Sequence, residues 1–369
     1  MDPSPLPAPY WAFKLLLNLT FLLHILAMNL LLGSGLLALM AKWKSKGTEY
    51  SSRLFQELSR ILPSLLPATI SIGVAPLLFV QVLYGQFFYT SSIIIAWPWF
   101  LVLGFLTAAY YGLYYASFRK NDNANRPAWA VSMSMVLVLA IGFIYTNNMT
   151  LSQTPDGWRT KYFADSTGWN LNLAEATLIP RFLHFMIAAL AVGGLLIAIR
   201  GLLKTRTDKS YALYQIRFGA KAFMYATMAQ FVIGSWLFMA LPHPQRMLFM
   251  GNNVVATTIL VLALIGAVGT LILGSEVART ENPKAKLHGV TALTILIIAL
   301  MVVSRDTLRD SYLGRYLSPM PSQTQWEVFP LFLLIFVAGL GLWVLMLKRY
   351  RFNQQKPAEA AAMTHAGKR

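Results

Sequence analysis

Nine long, predominantly apolar runs decide what this chain can fold into. They cover about residues 11–41, 61–88, 92–118, 127–149, 174–200, 214–241, 252–275, 286–304 and 327–348. At a rise of 1.5 Å per residue, a helix over any of them can cross a hydrocarbon layer of about 30 Å. In lipid every backbone N–H and C=O must find a partner inside the protein, so runs of this length commit the chain to membrane-spanning helices. A transmembrane β-barrel would alternate apolar and polar residues in short strands, and the continuity of these runs excludes it. The fold class predicted is all-α, a polytopic membrane helical bundle of about nine transmembrane helices.

Charge then orients the bundle. The net charge is +17, from 31 Lys and Arg against 14 Asp and Glu. In a soluble chain that excess would suggest nucleic acid, but here the basic residues occupy the short turns between runs. Lys14, Arg159, Lys161, Arg181, Arg246, Arg305, Arg309 and Arg315 fall on one side, leaving 23 of the 31 on the other. Those 23 lie at 42–60, 119–126, 200–221, 276–287 and in the C-terminal tail. The asymmetry predicts an external N-terminus and a cytoplasmic C-terminus, with the lipid bilayer rather than nucleic acid as the partner. The start of the chain, Met1 to Pro9, lacks a basic n-region, so the first span is expected to remain in the mature protein. The expected organisation is a single membrane domain over 1–350, made of two four-helix groups at 11–149 and 174–304 and a ninth span at 327–348. An Ala-rich polar tail at 354–369 is expected to be disordered in the cytoplasm. Two outer loops, 150–173 and 305–326, are long enough to carry structure of their own.

Titratable groups inside hydrocarbon are costly, and each is a functional hypothesis. The stretch Pro180-Arg181-Phe182-Leu183-His184 puts a guanidinium and an imidazole one helical turn apart near the start of a span. His24 lies well inside the first span, and His243 at the outer end of the sixth. His288 reads as interfacial and His365 as part of the tail. A lone intramembrane histidine reads most simply as a hydrogen bond to a neighbouring helix. Two at similar depth on separate helices, with arginines at that level, fit a cofactor better, because neutral imidazole is a ligand of haem iron. Haem propionates need cations at the membrane edge, and Arg181, Arg246, Arg305 and Arg309 are suitably placed. Gly33, Gly35, Gly193 and Gly194 are expected to open flat apolar slots for a macrocycle. The absence of cysteine excludes covalent c-type haem, iron–sulfur clusters and thiolate metal sites.

The second span is the other polar oddity. Pro76 is expected to kink it, while Gln81 and Gln86 are either contacts between helices or the wall of a cofactor pocket. The run Arg305-Asp306-Thr307-Leu308-Arg309-Asp310 reads either as a solvated ion-pair cluster capping the eighth span or as a propionate clamp. A transporter with buried polar groups stays open at this point, although no matched pair of broken helices marks two halves.

Taken in order, these residues resemble subunit I of the cytochrome bd family. The stretch His24 to Gly33 is similar to that family's first span, which carries a haem-ligating histidine. Gly73-Val74-Ala75 leading to Gln81 and Gly85 looks like its second span. Asn147-Asn148 and Gln153-Thr154-Pro155 are similar, with different spacing, to a motif that ends its fourth. His184 falls where the low-spin haem b ligand stands in its fifth. The resemblance covers spans one to eight. It implies nine spans, an outside N-terminus and haems gathered at the outer side of a prokaryotic cytoplasmic membrane.

By this resemblance there would be two haem b groups, His24 and His184 each ligating one iron, with Arg181, Arg305 and Arg309 on the propionates. His243 becomes a candidate second ligand, because the family's span-seven methionine is missing from 252–275. Gln81 stands where the family has a glutamate, 92–118 holds no acidic residue, and the loop between spans six and seven is only about 241–251. The family's groups for oxygen reduction and quinol oxidation thus lack counterparts. The expected function is a haem-b-binding electron-transfer subunit of an oxidoreductase complex, passing electrons at the outer side to a c-type cytochrome or another membrane or periplasmic redox subunit. The alternatives are a divergent oxygen-reducing bd-type oxidase and a haem-free transporter or assembly scaffold.

Overall fold

The computed structural model describes residues 5–44, 48–118, 127–280, 282–317, 323–339, 341–342 and 345–346. Ten helices run in order through residue 313: α1 (Tyr10–Lys44), α2 (Glu49–Ile94), α3 (Ala96–Phe118), α4 (Ala128–Ser152), α5 (Trp158–Ala164), α6 (Leu178–Lys204), α7 (Lys209–Ala240), α8 (His243–Met247), α9 (Val254–Arg279) and α10 (Lys284–Leu313). An eleventh, α11 (Val328–Gly339), follows. Eight of these, α1 to α4, α6, α7, α9 and α10, are long and apolar enough to cross a membrane. The protein is a multi-pass helical bundle. α11 is the described part of the predicted ninth span; the tail at 354–369, with His365, lies outside the described residues.

The helices outrun the apolar runs that predicted them. α2 has 46 residues, about 69 Å at helical rise, because the polar stretch from Glu49 to Arg60 stays helical beyond the lipid. Pro63, Pro67 and Pro76 are all accommodated within it, and the non-helical backbone angles fall at Tyr84 rather than at the Pro76 expected to kink it. α10 continues to Leu313, nine residues past the predicted end at 304. Arg305, Asp306, Arg309 and Asp310 are therefore helical residues and not a loop.

The chain separates into two compact units. In the smaller (residues 1–14 and 317–369), Gln323 N–H donates to the Leu6 carbonyl and Gln325 N–H to that of Pro7, each at 3.0 Å. Among the described residues the larger unit, Leu15–Tyr316, holds two large apolar cores and a smaller one around Ile94, Ile95, Ile144 and Leu151. One large core joins α1, α2, α3 and α4 with Met186, Ala189 and Ile197 of α6. The other joins α6, α7, α9 and α10. α6 serves both, and its small residues make that possible. A Cβ on Gly193 would lie 2.7 Å from Gly33 Cα in α1, and one on Gly194 would lie 2.7 Å from the Gly219 carbonyl oxygen in α7. Close backbone approach of this kind is how helices gain packing energy in lipid. It also corrects the expected haem slots. Gly33, Gly193 and Gly194 are filled by neighbouring backbone, and Gly35 faces the Met135 side chain.

Candidate cofactor site

His24 projects from α1 onto α2. Its Nδ1 lies 3.1 Å from the Thr69 carbonyl oxygen. A carbonyl only accepts, so Nδ1 carries the proton and the Nε2 lone pair is left for another partner. Metal-ligating imidazoles commonly donate their other ring N–H to a carbonyl in this way. Gly73, one turn on from Thr69, makes the seat: a Cβ there would fall 2.6 Å from His24 Cε1 and 2.7 Å from Nδ1.

His184 projects from α6 onto α7, where its Cε1 and Nδ1 would stand 3.5 and 3.6 Å from a Cβ on Gly234. Its Nδ1 is fully enclosed and has no hydrogen-bond partner. Gln230 Nε2 donates to the His184 carbonyl oxygen at 2.8 Å, and Gln230 Oε1 is likewise buried without a partner. An enclosed polar atom with no partner is costly. The two rings are seated against different helices, His24 against α2 and His184 against α7.

One turn outward of each histidine stands an arginine cluster. Arg181, three residues before His184, is 6% exposed and donates from Nη1 to Gln153 Oε1 at 2.8 Å; it also meets Tyr312 of α10. Three residues before His24 is Phe21, whose ring centroid lies 4.2 Å beneath the Arg305 guanidinium. Arg305 Nη2 reaches Met149 Sδ at 3.1 Å, and its Nε is buried without a partner. Among the described residues Arg305 has no carboxylate at ion-pair distance. Arg309, by contrast, pairs with Asp306 and lies over the Tyr84 ring, 4.3 Å from its centroid. Tyr84 Oη donates to Asp310 Oδ1 at 2.6 Å, and Asn18 Nδ2 to Asp306 Oδ2 at 3.2 Å. Asp306 and Arg309 are 6% and 5% exposed, so the solvated ion-pair cap expected at the end of the eighth span is in fact a buried network joining α1, α2 and α10.

Arg181 and Arg309 thus each stand within electrostatic reach of Arg305. Gln81 is half-buried on α2, one turn before Tyr84, and makes no hydrogen bond among the described residues. His243 is exposed at the start of α8, nine residues beyond Gly234, and no described contact carries it to His184. Arg246 reaches the Met239 carbonyl at 3.4 Å on the surface. Thr69, Gly73, Gly234, Tyr84, Asn18 and Tyr312 were not candidates from sequence. Only Gly73 carried a signal, in the Gly-Val-Ala stretch.

The outer loop 150–173 has the structure expected of it. Asn172 N–H donates to Asn147 Oδ1 at 2.9 Å, and Trp158 Nε1 donates to the Leu151 carbonyl at 2.8 Å. Trp97 and Trp169 stack with centroids 6.4 Å apart, and Arg315 closes on Asp156 at 2.5 Å.

The residues fit haem better than a bare ion. No cluster of three or more His, Asp or Glu side chains is assembled to hold a metal ion among the described residues. An axial haem ligand would require only one imidazole, and His24, with Nδ1 on the Thr69 carbonyl, leaves Nε2 for it.

No protein-family model matches the chain, and no curated protein matches it. Among solved structures four chains match. One is the bd oxidase from Geobacillus thermodenitrificans, with a TM-score of 0.73 at 12% sequence identity, covering 95% of this chain and 100% of that chain. At that identity the likeness is one of fold.

Proposed function

We propose that the protein is a haem-b-binding membrane subunit of a respiratory electron-transfer complex, relaying electrons at the outer side of a prokaryotic cytoplasmic membrane. One observation carries the reading: a half-buried imidazole with its tautomer fixed by the Thr69 carbonyl stands one turn inward of a half-buried guanidinium whose Nε is enclosed without a partner and which has no carboxylate at ion-pair distance among the described residues. The bd-oxidase fold supports the same class of cofactor. Haem b supplies a one-electron couple when bound.

The chain's own residues do the rest. His24 would ligate through Nε2, its ring held by the Thr69 bond, and His184, whose Nδ1 has no partner, would ligate on the α7 side. Arg305, lacking a carboxylate partner, would take a propionate carboxylate, with Arg181 and Arg309 beside it. Gln81, eight residues beyond Gly73 on α2, would face the same cofactor from farther out. His243 is the weaker member of the ligand set, since it stands at the surface. The outer surface built by Trp97, Trp169, Asp156 and Arg315 would meet a c-type cytochrome or another membrane or periplasmic redox subunit.

Optical spectra of the purified protein, oxidised and reduced, test this. A b-type Soret band is expected, with His24→Ala and His184→Ala each removing part of it and the double variant all of it. Colourless wild-type protein overturns the reading. Carbon monoxide added to the reduced protein separates a relay, whose spectrum stays unchanged, from an oxygen-reducing oxidase, whose spectrum shifts.

A further inference from the structure

At the end of the bundle opposite the histidines, Tyr50 at the start of α2 and residues 210–221 of α7 line an open groove of about 470 Å³, with Ser210, Tyr214, Arg217, Phe218 and Lys221 on the α7 side. We propose that this groove binds the headgroup of an anionic phospholipid, through Arg217 and Lys221 and against the Tyr50–Tyr214–Phe218 wall.

Depth carries the first part of the argument. Residues 222–240 of α7 contain no charged side chain and span about 28 Å at helical rise, close to the ~30 Å of a bilayer's hydrocarbon. Lys221 therefore stands at the hydrocarbon boundary, and Arg217, one turn farther out, stands about 6 Å into the headgroup layer. Both point the same way, four residues apart on one face.

Charge carries the second part. Three neighbouring cations at this end are already paired: Lys204 and Arg200 reach Glu57 at 2.5 and 3.5 Å, and Arg53 reaches Asp208 at 2.5 Å and Glu57 at 3.4 Å. Arg217 and Lys221 are exposed and have no carboxylate partner among the described residues, and no acidic side chain lines the groove. A cationic site at phosphate depth that the protein leaves unneutralised calls for an anion.

The walls make it a lipid's. The Tyr50 and Tyr214 rings lie 5.7 Å apart, and those of Tyr214 and Phe218 stack at 6.0 Å, giving an apolar flank for the glycerol end. Ser210 and the two tyrosines offer hydroxyl donors to phosphate oxygens. Basic pockets between membrane helices at the cytoplasmic surface are a known way of holding lipid headgroups. The inference stands apart from haem binding.

The experiment uses native mass spectrometry of the full chain in detergent, titrated with phosphatidylglycerol or phosphatidylcholine. Preferential retention of phosphatidylglycerol is expected. R217Q/K221Q should weaken it on the order of twentyfold, from roughly fivefold per cation near a membrane surface. R217K/K221R should keep it, and R206Q/K284Q, which removes equal charge from other exposed sites, should leave it intact. Four results each overturn the proposal: equal retention of both lipids, no change in R217Q/K221Q, an equal loss in R206Q/K284Q, or displacement of the lipid by millimolar inorganic phosphate. Because Arg217 and Lys221 are exposed, R217Q/K221Q should fold, and an unchanged helical circular dichroism spectrum checks that it has.

Discussion

Gly33 and Gly193 lie backbone to backbone where α1 meets α6, and each is nine residues inward of a histidine, His24 in α1 and His184 in α6. The first and fifth spans run in the same direction, so the equal offset sets both imidazoles about 13 Å outward of the contact. One close contact thus fixes the common depth of the two rings. The rings then diverge, His24 to α2 and His184 to α7, which gives two pockets at one level rather than one shared pocket.

Gly193→Val tests that contact. The new Cβ would stand 2.7 Å from Gly33 Cα and from Ser34 N, where only backbone can yield. Overpacking at such a site costs about 1–3 kcal/mol. The melting temperature of the purified protein should fall accordingly, and any bound haem should show perturbed bands at both histidines. An unchanged melt would mean that α1 and α6 are not held by this crossing.

Gly73→Val acts on one pocket alone. A Cβ 2.6 Å from His24 Cε1 drives the ring off its seat and breaks the Nδ1–Thr69 bond. If His24 and His184 serve separate haems, haem-to-protein stoichiometry should fall by about half, matching His24→Ala, while the band remaining in Gly73→Val should disappear on adding His184→Ala. A stoichiometry equal to wild type would show that His24 is not a ligand.

Arg309 and Asp306 form a buried pair, and removing one member leaves the other charged and enclosed. Breaking such a pair costs about 3–5 kcal/mol. Arg309→Gln and Asp306→Asn should each lower the melting temperature sharply, and the double variant should recover part of the loss. The non-additivity is the readout, because two independent surface changes would simply add.

Most of the fold was legible because its cause is local. A long, predominantly apolar run has one low-energy option in lipid, and α1, α3, α4, α6 and α9 follow their runs closely. What sequence misjudged were the ends of α2 and α10, where polar residues stay helical because the bundle or the interface covers them. Arg305 and Arg309 read as loop charges for that reason, although their burial is set by Phe21, Tyr84 and Asn18, which are distant in the chain. The glycines show the same limit. Gly193 and Gly73 look alike in sequence, yet one receives a helix backbone and the other an imidazole, and only the packing of α1 decides which.

Asp208 gives a pH dependence outside the membrane. Arg53 Nη1, 2.5 Å away, and the Tyr211 backbone N–H at 3.2 Å hold its carboxyl below the ordinary carboxylate range of about 4. A carboxylate depressed on folding adds stability that is complete above its unfolded value and is lost as pH falls through the folded one. Asn at 208 retains the capping geometry toward Tyr211 but loses the ion pair with Arg53. Asp208→Asn should therefore melt below wild type at pH 7, and the gap should close as pH falls below about 4. Because the pair is solvent-accessible, the gap at pH 7 should also narrow in molar salt. A gap that persists at low pH would assign the effect to the cap rather than to the charge.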